Sequence, residues 1–230
     1  MRRVRLQAMV ALLLLAVATE GAAQRIAGSG ESSRPVGFRV EAELSGNAAR
    51  LDRAAKAIYA SIGSPSFGLG YGLRVGHDWE RVGIGLGLEL GSVALNVSER
   101  EALALLSVVV LGRLQLAPSW GMLRFPELSV GFVRQGIGSV SVPISDLPPD
   151  ASPPPSLGDR ADTSLLGNGL RLGFGAGRGL GDGVMLTGNV SVDLTRYNTL
   201  SVGGYGDLSR SDTGLSIMPK LAIGVAWWPS

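Results

Sequence analysis

The chain has 230 residues, enough for one domain, and only 17% of them are charged, against roughly 25% in typical soluble domains. It contains no cysteine, which excludes disulfides, thiolate metal sites and a cysteine nucleophile. The formal net charge of +2 comes from side chains in the first 23 residues, because the residues after Ala23 carry 18 basic and 18 acidic side chains. This neutral balance removes the support for a nucleic-acid partner.

The first 23 residues have the pattern of a cleavable signal peptide. Three arginines precede an apolar run over residues 8–18, and the small residues at 21–23 suit a signal peptidase. The apolar run is shorter than the about 20 residues that a membrane-spanning helix needs, which disfavours the alternative of an uncleaved anchor. Residues 24–35 are rich in Gly and Ser and are expected to form a flexible leader to a barrel domain over residues 36–228.

Alternation of apolar with small or polar residues recurs along the rest of the chain and predicts β-strands. It is clearest in Phe67–Gly76 and Val82–Leu90, where large apolar residues alternate with glycine, one arginine and one glutamate. A continuous apolar run in the fourth strand leaves a helix as the competing assignment, but its β-branched residues favour a strand. The eight predicted strands cover residues 36–46, 67–76, 82–90, 104–116, 123–134, 165–177, 184–197 and 213–228.

The connections between the predicted strands alternate between long and short. This alternation is typical of an all-β, eight-stranded antiparallel up-and-down transmembrane β-barrel with short periplasmic turns and long external loops. No apolar run long enough for a spanning helix follows residue 23, so only a closed barrel could cross a membrane. The predicted external loops are residues 47–64, 95–103, 135–163 and 198–212, the third of which contains a proline-rich run at 147–155.

Aromatic residues fall where the predicted strands would enter and leave a membrane, as an interfacial girdle requires. Short turns and the end of the last strand hold the predicted periplasmic members, Trp79, Trp120, Trp227 and Trp228. The loop ends of three strands hold the predicted outer members, Phe67, Phe132 and Tyr197.

The small-residue face of the predicted strands carries charges of both signs and is expected to line the barrel interior. One interpretation is a polar pore. The favoured one is an interior filled by ion pairs, because an eight-stranded barrel is barely wide enough for its side chains and an unpaired buried charge is costly. Many glycines on this face keep a narrow channel as an alternative. The ion-pair candidates are Arg39, Glu41, Glu43, Arg74, Glu89, Arg113, Glu127, Arg171, Asp193 and Lys220, with Arg74 and Glu89 as one expected pair.

No catalytic, cofactor or metal site is predicted. His77 is the single histidine and lies beside Asp78 in a short turn, whereas a hydrolase acting at the external rim would need its histidine at the opposite end. As a metal ligand it has no histidine or cysteine partner. The Gly-x-Gly runs lie inside strands, where they do not form phosphate-binding loops.

In these patterns the chain resembles the small eight-stranded outer-membrane β-barrels of Gram-negative bacteria, the group of the OmpA transmembrane domain, OmpX and OmpW. The resemblance covers residues 36–228 and rests on the strand pattern, although members usually end in an aromatic residue and this chain ends in Trp227-Trp228-Pro229-Ser230. It implies location in the bacterial cell outer membrane. It also implies contact with outer-membrane lipid and passage through the secretion and barrel-assembly machinery, and no common chemistry.

The expected function is therefore that of an integral outer-membrane barrel with a structural or surface-interaction role and no enzymatic activity. A narrow porin-like channel for small solutes or ions is the alternative. A soluble barrel of the lipocalin type would turn the apolar face inward, and the scarcity of lysine and glutamate on the opposite face argues against it. No specific ligand is predicted.

Overall fold

The computed structural model describes residues 36–51, 67–95, 98–116, 119–120, 123–147, 159–181, 183–203, 206–209 and 214–229. The predicted signal peptide, the leader and residues 148–155 of the proline-rich run lie outside the described residues. No helix in the described part of the chain is long and apolar enough to cross a membrane. The strands are β1 (Gly37–Ala48), β2 (Phe67–Asp78), β3 (Val82–Leu95), β4 (Ser98–Gln115), β5 (Ser119–Trp120), β6 (Leu123–Pro143), β7 (Arg160–Gly181), β8 (Val184–Val202), β9 (Gly206–Ser209) and β10 (Ser216–Trp227).

These strands close into a ring, because β10 pairs with both β1 and β8. Around the ring the order is β10, β1, β2, β3, β4, β6, β7 and β8, and every pairing is antiparallel. The short strands β5 and β9 pair with β6 and β8 beside the ring. The fold prediction of an all-β, eight-stranded antiparallel up-and-down barrel is confirmed, and the fourth predicted strand is a strand rather than a helix.

The stagger between neighbouring strands sets the width of the barrel. Following the paired residues once around the ring from Val40 leads to Ile217. Ile217 forms a bridge with Arg50, which lies ten residues after Val40 in the chain. The shear of the barrel is therefore ten residues. With about 3.3 Å per residue and about 4.8 Å between strands, this shear tilts the strands by about 40° and gives a backbone cylinder of about 8 Å radius. Side chains from opposite walls therefore meet near the axis.

Successive residues of each strand point to opposite sides of the wall. On β2, Leu69 and Leu73 are exposed on the outside, whereas Arg74 is buried in the interior. Over the middle of the other ring strands most large apolar side chains likewise face outward, and the buried charged side chains face inward. The lipocalin-type alternative requires the reverse arrangement and is wrong.

The outward apolar side chains form a belt around the barrel, which we call the apolar belt. On β8 it extends from Val184 to Leu194, a rise of about 25 Å at the tilt given above. Its edge at the long-connection end is marked on β6, β7 and β8 by the outward residues Arg134, Asn168 and Arg196, which are paired in one row. Exposed charged residues of the short turns and strand ends, Glu80, Arg81 and Arg178, mark the other edge.

Several strands continue beyond the apolar belt at the long-connection end, so the strands are longer than predicted. Parts of the predicted loops 95–103, 135–163 and 198–212 are strand, since β4 begins at Ser98, β6 ends at Pro143 and β8 ends at Val202. Register shifts lie between Ile137 and Val140 on β6 and between Arg196 and Thr199 on β8. A bulge adds one residue to one strand and reverses which residues face inward, so the alternation in the sequence breaks at these points.

Candidate functional site in the barrel interior

The interior is the place where the sequence concentrates its charged residues, and it is filled in layers. From the short-turn end, an apolar layer is followed by a charged cluster, a second charged network, a polar contact layer and an apolar cluster. The wall places these side chains because every second residue of a strand must face inward. Each layer takes side chains from several strands.

The larger charged layer, which we call the central network, contains three acids and three bases from six of the ring strands. Glu89 on β3 is its hub. Its carboxylate accepts hydrogen bonds from Arg74 Nη2 at 3.0 Å, from Arg171 Nη2 at 2.8 Å and from Lys220 Nζ at 2.6 Å. The members are Glu43, Arg74, Glu89, Arg171, Asp193 and Lys220, all of them buried.

The remaining acids complete the pairing of the three bases. Arg171 donates from Nε to Asp193 at 2.6 Å and from Nη2 at 2.7 Å, a bidentate contact. Lys220 Nζ lies 3.3 Å from the same carboxylate, and Arg74 Nη2 donates to Glu43 at 2.7 Å. Because the three formal charges of each sign cancel, the layer is neutral without counterions, as a low-dielectric interior requires.

A second group, which we call the turn-end cluster, lies nearer the short turns. Arg39 Nη2 donates to Glu41 at 2.8 Å, and Asp78 accepts from Arg39 Nη1 at 3.4 Å and from Arg113 Nη2 at 3.1 Å. Thr187 Oγ1 also donates to Glu41, at 3.1 Å. The members are Arg39, Glu41, Asp78, Arg113 and Glu127.

Asp78 is a charged interior residue that the sequence prediction did not include. It is fully buried and bridges two arginines, although the sequence placed it in a turn with His77. The alternation in the sequence does indicate this inward position. The inward residues of β2 are even-numbered, and Asp78 continues the series of Arg74 and Gly76. Strand β2 includes Asp78 as its last residue, so the predicted end at Gly76 was too early.

Apolar and polar side chains close both ends of the charged layers. At the short-turn end, Phe125, Met185 and Trp228 pack in one buried cluster, with the Arg39 guanidinium 5.1 Å from the Trp228 ring centroid. Beyond the central network, Tyr197 Oη donates to Gln135 Oε1 at 2.5 Å. A large apolar cluster follows inside the strand extensions, including Leu51, Val93, Leu103, Leu105, Val142, Leu165, Leu200, Val202 and Met218.

Among the described residues, the free space beside the central network is small. A cavity of about 10 Å³ lies beside Glu89 and Lys220, with Asn47 and Ser107 in its wall, which is room for about one water molecule. The many inward glycines leave space, but charged side chains fill that space. A Cβ on Gly72 would lie 3.1 Å from Glu43 Cγ and 3.1 Å from Glu89 Cγ.

We expect Gly72→Val to destabilise the barrel by about 1–3 kcal/mol, because the added methyl groups would push apart two carboxylates that share Arg74. The free energy of unfolding in urea, measured by tryptophan fluorescence in lipid vesicles, checks this. Gly188→Val is the matched control, because Gly188 is exposed on the outside and a Cβ there would meet nothing within 4 Å. Equal destabilisation by the two substitutions would contradict a filled interior.

The structure places all ten predicted ion-pair candidates inside the barrel. Arg74 and Glu89 contact each other, as the expected pair does, but Glu89 is shared among three bases rather than held by one. Glu127 is the least enclosed of the ten, and its carboxylate lies 3.6 Å from Arg39 Nη1. The pairings across the axis, such as Arg171 with Glu89, join strands that are not neighbours, and no spacing in the sequence indicates them.

The predicted girdle residues divide between the two sides of the wall. Trp79, Trp227, Phe67 and Phe132 are exposed on the outside, and the side chain of Trp120 lies outside what the structure describes. Trp228 and Tyr197 are buried inside, so for these two the girdle prediction is wrong. The reason is parity: Trp228 follows an outward residue, and Tyr197 is two residues from the inward Thr195.

The same parity separates His77 from Asp78. His77 is exposed on the outside, with its ring centroid 4.8 Å from that of Trp79, whereas the carboxylate of its neighbour lies in the interior. These two residues therefore cannot act together as a proton-transferring pair. Among the described residues, no three histidine, cysteine or acidic side chains are grouped so that they could hold a metal ion.

A closed antiparallel barrel with an apolar outer surface and a charged interior is the architecture of the small outer-membrane β-barrels. No family model matches the sequence, and the comparison with curated proteins found no match. The chain is similar in fold to the solved structure of Neisserial surface protein A, NspA (13% identity, 86% of this chain and 99% of that chain, TM-score 0.47).

Two further solved structures are similar in fold. One is the outer membrane protein AlkL in DMPC lipid bilayers (10% identity, 89% of this chain and 95% of that chain, TM-score 0.45). The other is the translocator domain of autotransporter NalP from Neisseria meningitidis (13% identity, 83% of this chain and 88% of that chain, TM-score 0.37).

Proposed function

We propose that the protein is an integral outer-membrane barrel with a sealed interior, a structural or surface-interaction role and no enzymatic activity. The observation that carries the proposal is the neutral central network, which fills the middle of the barrel with side chains from opposite walls. A conducting barrel would need a continuous polar path. Here the charged layers lie between two apolar clusters.

Insertion into lipid is supported by the outer surface. Leu172, Val190 and Ile223 are among the large apolar side chains that the apolar belt exposes, and a soluble monomer rarely exposes so large a patch. Lipid would cover the apolar belt and leave the polar edges in the two interfaces. Refolding of the urea-denatured chain into phosphatidylcholine vesicles tests this, with a heat-dependent shift in gel migration as the expected sign of a folded barrel.

The alternative function is a narrow channel, which the small cavity beside Lys220 favours because Asn47, Glu89 and Ser107 also line it. We expect the folded protein to show no discrete openings in a planar lipid bilayer, since the layers leave no room for a hydrated ion. Single-channel recording checks this, and reproducible unitary steps that depend on protein addition would contradict the sealed barrel. Protein heated to lose the folded gel band is the control, because openings from detergent or contaminants would persist after heating.

A further inference from the structure

The seam where the last ring strand meets the first has a break in its backbone ladder, towards the long-connection end. Continuous pairing of β1 with β10 ends where Asn47 lies opposite Lys220. A single bridge, between Arg50 and Ile217, follows farther along the same two strands. The register is the same on both sides of the break, so no inserted residue causes it.

Pro219 explains the break. Arg50 and Ile217 exchange two backbone hydrogen bonds of 2.9 Å, and in an antiparallel ladder such pairs recur at every second residue. The next such pair is Ala48 with Pro219, and proline has no N–H to donate to the Ala48 carbonyl. Proline is normally confined to edge strands, whereas β10 has a partner on each side and its pairing with β8 continues through Pro219. The wall is therefore weakened on the β1 side of β10.

The cavity beside the central network lies directly inside this break. Asn47 and Lys220, the last continuous pair before the break, both line the cavity. The Lys220 ammonium has three N–H donors, and its Nζ lies 2.6 Å from Glu89 Oε2 and 3.3 Å from Asp193 Oδ2. Within the part of the chain that the structure describes, these two contacts leave the third donor for an acceptor in the cavity.

The other groups in the cavity wall suit a water molecule as that acceptor. Ser107 Oγ accepts a hydrogen bond from Gln135 at 3.1 Å, so its own hydrogen can be donated. The Glu89 carboxylate and the Asn47 amide oxygen can accept the two hydrogens of water. A volume of about 10 Å³ with two to four polar partners is what one buried water requires.

We propose that the cavity binds one water molecule as a ligand of the central network, and that this water exchanges with solvent through the break at Pro219. The path through the wall is short, because Pro219 pairs with Val192, two residues from Leu194 at the end of the apolar belt. The path rests on the proposed membrane placement, in which lipid covers the rest of the wall. A single water leaves the barrel closed to hydrated ions.

The experiment observes the Lys220 ammonium by solid-state NMR of the folded protein in phosphatidylcholine bilayers. The chain contains two lysines, Lys56 and Lys220, so isotope-labelled lysine gives two ammonium signals and Lys56→Arg assigns them. Transfer of magnetisation from water to the Lys220 nitrogen detects the bound water. The decay of the ammonium proton signal in heavy water measures its exchange with solvent.

Two pairs of variants separate the site from the path. Gly91→Ala adds a methyl group in the cavity wall, where a Cβ would lie 3.2 Å from the nearest atom, and Gly188→Ala on the outside is its control. Pro219→Val restores the missing backbone donor. Leu221→Val, also on the outside of β10, changes no donor and is the control. The heat-dependent gel shift checks that each variant is folded.

We expect water-to-Lys220 transfer in the unchanged protein and in Gly188→Ala, and its loss in Gly91→Ala. Pro219→Val should slow the exchange of the ammonium protons about fivefold, the effect of one added hydrogen bond, whereas Leu221→Val should not. Absence of transfer in the unchanged protein would overturn the water site. Equal exchange rates in Pro219→Val and the unchanged protein would overturn the path. Exchange as fast as that of free lysine would instead show an open interior and contradict the sealed barrel itself.

Discussion

Replacing Glu89 with alanine is expected to destabilise the folded barrel by about 3–5 kcal/mol, the usual cost of removing one partner from a buried ionic group. Glu89 accepts hydrogen bonds from Arg74, Arg171 and Lys220, so its loss leaves three bases with two acids. The uncompensated positive charge would lie at the centre of the barrel, where no solvent screens it. Urea unfolding in lipid vesicles measures the change in free energy.

Two further variants identify the cause of that loss. Glu89→Gln keeps the size of the side chain and one acceptor oxygen, so it should be less damaging than alanine while leaving the same excess charge. Glu80→Ala removes an acid from an exposed short turn and is expected to change stability by less than about 0.5 kcal/mol. A glutamine variant as stable as the unchanged protein would show that charge neutrality at the centre is not required.

Placing an arginine near the middle of the apolar belt is the second large effect that we expect. Val190 is 58% exposed on the outside of β8, and its neighbours across the strands are the apolar Phe174 and Leu221. In lipid, Val190→Arg should cost about 2–4 kcal/mol, because a charged side chain there must leave water for hydrocarbon. The free energy of unfolding in vesicles is again the measurement.

The control for this substitution lies on the same outer surface but beyond the apolar belt. Ser141 on the extension of β6 is exposed, and Ser141→Arg should leave stability within about 0.5 kcal/mol of the unchanged protein. If Val190→Arg were as harmless as Ser141→Arg, the apolar belt would not lie in lipid. The outcome would then contradict the proposed membrane placement directly.

The fold could be predicted because the signal repeats in every strand. Alternation decides which side of the wall each residue faces, and it needs no knowledge of the neighbouring strand. The inward positions of Arg39, Arg171 and Lys220 follow from this rule alone. The same rule, applied up to the last residue of each strand, places Asp78, Tyr197 and Trp228 inside as well. A position at the end of a strand does not decide which side of the wall a side chain faces, whereas parity does.

Other features could not be predicted, because they depend on register. The sequence does not indicate that Arg171 reaches Glu89, since β7 and β3 meet only across the axis of a barrel with this shear. The register shift between Arg124 and Glu127 is a second feature that the sequence does not indicate. There Phe125 adopts a φ of 52°, and its side chain is buried in the interior. A positive φ is costly for a bulky residue, and only the packed cluster around Phe125 makes it stable.

The pairing of β1 with β10 has a consequence for how the barrel folds. Val40 and Trp227 are neighbours in the sheet but lie at opposite ends of the barrel's sequence, so the ring closes only when the last strand is in place. Before that step, Glu43 and Lys220 have no complete set of partners, and lipid would not solvate them. For the membrane placement proposed above, we expect insertion and closure to occur together, as one cooperative transition. Contacts between such distant residues form slowly, which makes the arrival of β10 the expected rate-limiting event in folding.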